Sequence, residues 1–162
     1  ALGNAWFVDE VQYVNNANEE IAAIHGLNPL QKAIVDKKFE ASVRSMPSDS
    51  LATIELVEYQ PNYLKYEVNS EKGGTVVFSE IYYPGWQSTG DGEEVPHGRA
   101  NYILRAMNVP AGKHIVEFKF DPKSLHTTET IAFVALGLLA LLAIATIYLS
   151  FRRPKGGRIS EA

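Results

Sequence analysis

The strongest constraint on the fold of this chain is an apolar run at residues 130–151, which contains no charged side chain. A helix rises about 1.5 Å per residue, so the run would reach roughly 33 Å, enough to cross a hydrocarbon core of about 30 Å. A helix also satisfies its own backbone hydrogen bonds, which lipid cannot do. The alternative is a core helix of a soluble protein, but a core helix is seldom this long, apolar on every side and closed by basic residues. The run therefore predicts one transmembrane helix, over residues 127–151.

Basic residues follow the apolar run directly, whereas the other flank carries Glu129, His126 and Lys123. Cytoplasmic flanks of transmembrane helices are enriched in lysine and arginine. We therefore expect the C-terminus to lie in the cytoplasm and residues 1–126 to form a domain outside it. The residues that define this orientation belong to a predicted basic tail at 152–162, and they are Arg152, Arg153, Lys155 and Arg158.

Composition narrows the class of protein further. The chain has no cysteine, which excludes a disulfide framework and any thiolate metal site. Its formal net charge of −4 argues against nucleic-acid binding, which usually needs a basic face. No charged-then-apolar leader precedes the first apolar segment, so we expect either a leader that was removed or, as the favoured interpretation, the end of a longer polypeptide.

The first part of the predicted outer domain combines strand and helix. Residues 6–14 have the pattern of an opening strand. Asn16 is a suitable N-cap, and Glu19 three residues later completes a capping box. The helix would present Ile21 and Ile24 on its apolar side and end at Gly26.

From residue 51 onward the pattern changes to strands, because apolar and polar side chains alternate with a period of two. Asp91-Gly92 lies between two short strands and is typical of a hairpin, since both residues tolerate positive φ. Evenly spaced strands joined by tight turns predict a mainly β fold, an antiparallel β-sandwich with one short N-terminal helix, followed by the single transmembrane α-helix. The buried stripes of three strands are expected at Leu64, Tyr66 and Val68, at Tyr102, Leu104 and Ala106, and at Val116, Phe118 and Phe120.

Three motifs carry a resemblance to a known family. They are Tyr-Tyr-Pro-Gly-Trp at residues 82–86, Asp91-Gly92, and Val-Pro-Ala-Gly-Lys-His at residues 109–114. In order and spacing the sequence resembles the C-terminal region of bacterial YfhO-like membrane proteins, in which a terminal transmembrane helix follows the last strand. Gln87 departs from the pattern, because a lysine is common there.

The resemblance implies a larger parent. YfhO-like proteins are multipass membrane proteins that resemble glycosyltransferases using polyprenyl-phosphate sugars, and their presumed acidic catalytic residue lies far upstream of this region. Nothing in this sequence corresponds to that residue, so no catalytic residue is carried over. The resemblance also implies the bacterial inner (cytoplasmic) membrane as the location, with the β domain facing outside the cytoplasm.

A possible sugar platform is the most specific binding site that the residues suggest. Flat rings at Tyr82, Tyr83 and Trp86 could stack on a sugar, while Arg99 and Asn101 could hydrogen-bond its hydroxyl groups. The alternative is that Trp86 closes one end of the sandwich and the two tyrosines pack the corner, as large aromatic residues usually do.

No residues suggest a metal or a cofactor. The histidines at positions 25, 97, 114 and 126 do not lie at an i,i+4 spacing or beside a convincing set of carboxylates, whereas zinc needs three or four converging ligands. His114 is expected to hydrogen-bond the backbone of its loop. Glu93 and Glu94 are adjacent in a strand and would face opposite sides, so they would not act together on one substrate.

These observations leave two main hypotheses for function. The first is a non-catalytic outer accessory domain and last transmembrane helix of a YfhO-like protein whose parent transfers sugar to a cell-envelope acceptor. The second is a single-pass, membrane-anchored module that binds glycan or protein. An enzyme with its own active site has the least support. The expected partners are the lipid bilayer, the remainder of the parent and an envelope glycan, but not nucleic acid.

Overall fold

The computed structural model describes residues 2–47 and 50–152. The chain divides into two units, a β domain at Ala1–Asp121 and a second unit, Pro122–Ala162, that contains the long C-terminal helix. The predicted basic tail lies outside the described residues, except for Arg152, the last residue of the long helix.

Two sheets make up the β domain, one of six strands in the order β1-β6-β10-β9-β3-β2 and one of five in the order β4-β5-β11-β7-β8. This confirms the predicted mainly β fold with a short N-terminal helix and a long apolar C-terminal helix. The strands are β1 (Ala5–Val8), β2 (Glu10–Val14), β3 (Lys32–Asp36), β4 (Thr53–Gln60), β5 (Tyr63–Ser70), β6 (Gly74–Ile81), β7 (Trp86–Gly90), β8 (Glu93–Glu94), β9 (Gly98–Ala100), β10 (Leu104–Val109) and β11 (Gly112–Phe120). The helices are α1 (Ala17–Ile24), a short 3₁₀ helix (Lys37–Phe39) and α2 (Lys123–Arg152).

The predicted opening strand is in fact two strands, β1 and β2, separated by Asp9 alone. β1 pairs with β6 and β2 pairs with β3, so the two strands form the two edges of the six-stranded sheet. Consecutive Cα atoms are only about 3.8 Å apart, so edges joined by one residue must lie side by side. The six-stranded sheet therefore curls until its edges meet at Asp9.

The β2–β3 pair is parallel, whereas the other strand pairs in the described part of the chain are antiparallel. Parallel neighbours need a crossover connection, and α1 supplies it. The helix begins as predicted, because the Asn16 side-chain oxygen accepts hydrogen bonds from the backbone N–H groups of Asn18 and Glu19. Alternation along a strand does not encode the direction of its neighbour, so the sequence pattern did not reveal the parallel pair.

Two apolar clusters form the core, and β6 contributes to both. Val77 lies in a cluster enclosed by the curled sheet, whereas Val76 and Phe78 lie in a cluster that joins the two sheets. Successive residues of a strand face opposite sides, so β6 is buried on both faces. The cluster that joins the sheets comprises Leu64, Tyr66, Val68, Val76, Phe78, Met107, Val109, Val116 and Phe118.

One predicted buried stripe is partly wrong. Leu104 and Ala106 do pack against the cluster inside the curled sheet, but Tyr102 is 37% exposed and has a φ of 72°. Tyr102 and Asn101 both occupy the left-handed region, which reverses the chain between β9 and β10. β9 has only three residues, too few to show an alternation in the sequence. The alternation that leads into β10 therefore includes Tyr102, although Tyr102 belongs to the turn.

α2 has 30 residues and begins at Lys123, four residues before the predicted transmembrane span. Residues Thr127–Phe151 within it are long and apolar enough to cross a membrane, with a mean hydropathy of 2.6. The helix therefore matches the predicted span in length and composition.

Candidate functional site

The three aromatic residues singled out by the sequence, Tyr82, Tyr83 and Trp86, lie in a corner between the two sheets. We call this corner, residues 82–86, the aromatic corner. The corner turns the chain from β6 to β7, and its Gly85 has a φ of 107°, which a glycine adopts readily. The backbone N–H of Tyr82 donates to the carbonyl of Ile103 at 2.7 Å. The corner is thereby fixed to the turn between β9 and β10.

Trp86 packs against the core from this corner. It is half-buried beside the cluster that joins the sheets, and its ring lies 5.4 Å from that of Phe120. The Arg105 guanidinium carbon lies 4.0 Å from the centre of the indole ring. One face of the indole is therefore already covered by a cation, an arrangement that stabilises both groups.

Arg105 is a buried cation, with 1% of its surface exposed. Its Nε donates to the carbonyl of Ile81 at 3.1 Å, and its Nη2 lies 3.7 Å from a Glu80 carboxylate oxygen. Burial lowers the pKa of Arg105, whereas Glu80 raises it. Burial raises the pKa of the nearby Tyr66 phenol to about 12. Arg105 thus holds a positive charge directly beneath the aromatic corner.

The two tyrosines of the corner have different environments. Tyr82 packs edge-on against Phe39 and His97, with ring centres 5.2 Å and 5.6 Å away. Tyr83 is 60% exposed, and its ring centre lies 6.2 Å from that of the tilted Phe120 ring. Of the three predicted platform rings, Tyr83 offers the most surface to a ligand.

Arg99 and Asn101 are engaged within the protein. Arg99 Nη2 lies 2.6 Å from Glu20 Oε2. The Asn101 side-chain oxygen accepts from the N–H of Ile34 at 2.8 Å, which ties the turn to β3. The ring of Phe39 lies 5.2 Å from that of Tyr82 and 5.9 Å from the Arg99 guanidinium carbon, so Phe39 contacts both residues.

Glu20 was not singled out by the sequence, yet it is fully buried. Besides Arg99, it accepts a hydrogen bond from the backbone N–H of Tyr102 at 2.8 Å. The helix leaves Ile21 half exposed, whereas Ile24 is partly buried, so the predicted apolar side is wrong at Ile21. A glutamate in a short amphipathic helix usually faces solvent, so no local signal could have identified it.

His97 lies beneath the corner in its neutral form. Ser88 donates its hydroxyl proton to the carbonyl of Val95, so at 2.7 Å it accepts a hydrogen bond from His97 Nδ1. Burial lowers the pKa of His97 to about 4, and the charge of Arg105 contributes to this shift. His97 is therefore a structural donor at neutral pH.

His114 lies at the end of β11 that is opposite to the aromatic corner. Its Nδ1 lies 2.6 Å from Asp91 Oδ2, and its Nε2 lies 3.0 Å from the carbonyl of Ala111, in keeping with the predicted bond to the loop backbone. The hydrogen bond to Asp91 raises the pKa of His114, and the same contact lowers the pKa of Asp91. The pair fastens the hairpin between β7 and β8 to the start of β11.

A groove of about 410 Å³ opens beside this pair, lined by Asp91, Glu93, Val95, Met107 and His114. The groove lies at the end of β11 that is distant from Trp86. His114 is near the start of β11, whereas Phe120, which pairs with Trp86, is its last residue. The residues that the structure describes contain no group of three His, Cys, Asp or Glu side chains able to hold a metal.

The fold and the helix define a membrane-anchored β domain. The sequence model of a family described as "Bacterial membrane protein YfhO" matches residues 33–132. The match covers more than half of the chain, which therefore belongs to this family. No curated protein and no solved structure is significantly similar to the chain.

Proposed function

We propose that this chain is the outer accessory domain and last transmembrane helix of a larger YfhO-like protein. The parent transfers sugar from a polyprenyl-phosphate carrier to a cell-envelope acceptor, and the β domain, itself non-catalytic, positions the acceptor at the membrane surface. The supporting observation is that the family match extends from β3 to residue 132, inside α2. The match therefore includes most of the β domain together with the start of the apolar span.

The short connection between the two parts supports this role. The β domain ends at Asp121 and the apolar span begins at Thr127. An extended chain reaches at most about 3.5 Å per residue, so these six steps cannot exceed roughly 20 Å. A domain tethered this way raises the local concentration of whatever it binds, so a millimolar site, worth about −4 kcal/mol, would be sufficient.

Tyr83 is the proposed contact for a sugar ring, because it is the exposed ring of the aromatic corner. Trp86 supports it through Phe120, whose ring lies within 6.2 Å of Tyr83 and 5.4 Å of Trp86. Arg99 and Asn101 would contribute by fixing the neighbouring turn, since Arg99 donates to Glu20 and Asn101 accepts from the N–H of Ile34.

The proposed orientation places the β domain outside the cytoplasm of the inner membrane, because the basic cluster follows the apolar span. The chain has no cysteine of its own, so single cysteines can report on it. A cysteine at the exposed Leu51 should react with a membrane-impermeant thiol reagent in intact spheroplasts. One at Ser160, in the tail, should be protected, and labelling of Ser160→Cys alone would reverse the orientation.

Acceptor binding can be tested on the full chain in lipid nanodiscs, titrated with N-acetylated amino-sugar disaccharides while amide shifts are followed. We expect shifts centred on residues 82–86, and at least a tenfold weaker affinity in Tyr83→Ala, or about 1.4 kcal/mol. Tyr59→Ala is the matched control, since Tyr59 is similarly exposed at 66% but lies on β4. Absence of shifts, together with full transferase activity of a parent lacking the β domain, would falsify the positioning role.

A further inference from the structure

The chain leaves the β domain at one end of both sheets. The N–H of Asp121 donates to the carbonyl of Gly85 at 2.8 Å, and the N–H of Phe120 donates to the carbonyl of Asn62 at 2.9 Å. The β4–β5 turn and the aromatic corner therefore flank the exit point. The β9–β10 turn joins them through the bond between Tyr82 and Ile103.

Large apolar side chains are exposed at this end. We call them the exit-end surface, and define it as Tyr59, Ile81, Tyr102 and Ile103, which are 66%, 64%, 37% and 50% exposed. Ile81 pairs with Leu104 in the ladder between β6 and β10, and Ile103 directly precedes Leu104 in the chain. In the second sheet, Tyr59 pairs with Leu64 close to the turn between β4 and β5.

The turns at the opposite end have a different composition. They consist of Glu-Lys-Gly at residues 71–73, Asp-Gly at 91–92 and Pro-Ala at 110–111. None of the residues in these three turns is a large apolar side chain, so they differ in polarity from the turns at the exit end; the exposed Leu51, which precedes β4, also lies at the opposite end. Exposed apolar surface gathered on one end of a domain indicates a surface that contacts something other than water.

The short connection between the β domain and the apolar span limits how far the exit-end surface can lie from the membrane. Asp121 sits at the exit end, and the apolar span that begins at Thr127 can be no more than roughly 20 Å away along an extended chain. Tyrosine rings favour the interface between water and hydrocarbon, and aliphatic side chains enter the boundary below the headgroups. The bilayer next to the span is therefore within reach of this end of the β domain.

We propose that the exit-end surface rests in the membrane–water interface, with Ile81 and Ile103 in contact with lipid and the tyrosine hydroxyls at headgroup level. This contact goes beyond the proposed function and does not depend on sugar binding. It needs only an anchored chain, and it holds for either orientation of the helix. It would also fix the height of the neighbouring Tyr83 at the level where a lipid-linked sugar lies.

The test uses single nitroxide labels on the full chain in nanodiscs of phosphatidylcholine with phosphatidylglycerol. Ile81→Cys and Ile103→Cys are compared with Leu51→Cys, an apolar position that is also exposed, at 77%, and that precedes β4 at the opposite end. Oxygen concentrates in lipid, whereas a water-soluble nickel chelate is excluded from it. We expect the ratio of oxygen to nickel accessibility to be several-fold higher at positions 81 and 103 than at position 51.

Two outcomes would overturn the proposal. Equal ratios at all three positions would mean that the exit-end surface lies in water. Low accessibility to both reagents at positions 81 and 103 would mean that protein, not lipid, covers it. Circular dichroism of each labelled chain shows whether the β domain is still folded. The sugar titration could show no binding while the ratio of oxygen to nickel accessibility is high at positions 81 and 103. That result would reject the acceptor role and leave the membrane contact supported.

Discussion

Replacing Trp86 by alanine is expected to lower the free energy of unfolding of the β domain by about 3–5 kcal/mol. The change removes a large ring from the edge of the core cluster that joins the sheets. It also removes the surface on which the buried Arg105 guanidinium stacks at 4.0 Å, and a desolvated contact of this kind is worth about 2 kcal/mol. Both losses act on the same corner.

Tyr83→Ala is the matched control for this variant, because Tyr83 belongs to the same corner and is 60% exposed. We expect it to cost less than about 1 kcal/mol, since little packing is lost at an exposed position. The measurement is denaturant unfolding of the full chain in detergent micelles, followed by near-ultraviolet circular dichroism. Similar losses in the two variants would show that Trp86 is not part of the core.

Replacing Glu20 by alanine is expected to destabilise the β domain by about 3 kcal/mol, in the range for breaking a buried ion pair. The substitution leaves Arg99, whose side chain is 19% exposed, without the carboxylate that lies 2.6 Å away. It also leaves the backbone N–H of Tyr102 without its acceptor. The turn that carries Asn101 and Tyr102 should loosen with it.

Glu10→Ala provides the comparison, because Glu10 pairs with Lys32 at 3.1 Å but its side chain is 59% exposed. A surface pair of this kind contributes about 0–1 kcal/mol. Glu20→Gln keeps a side-chain oxygen for the Tyr102 N–H and should recover part of the loss. Equal unfolding midpoints for the Glu20 and Glu10 alanine variants would contradict the role of Glu20.

The elements that could be predicted are those whose signal is local. The cap at Asn16 depends on three neighbouring residues, and the apolar stripe at Leu64, Tyr66 and Val68 depends on a period of two. The transmembrane helix depends on composition alone. Each of these signals depends on neighbouring residues and not on distant partners, so each could be predicted from the sequence.

The features that escaped prediction depend on partners distant in the chain. The burial of Glu20 requires Arg99, which lies 79 positions later. The parallel pairing of β2 with β3 requires the crossover through α1, and no alternation within a strand encodes the direction of its neighbour. The covering of Trp86 by Arg105 likewise joins two strands, so the sequence offered both a core role and a platform role for Trp86 without deciding between them.

The meeting of the two sheet edges at Asp9 also has a consequence for biosynthesis. Within the β domain, β1 pairs with Thr75 to Phe78 of β6, roughly 70 positions later. Closing a loop of this length costs entropy before any contact compensates for it. The N-terminal strand must therefore wait, unpaired, while most of the domain is made. The β domain should fold as one unit after its last strands have emerged, and not progressively from its N-terminus.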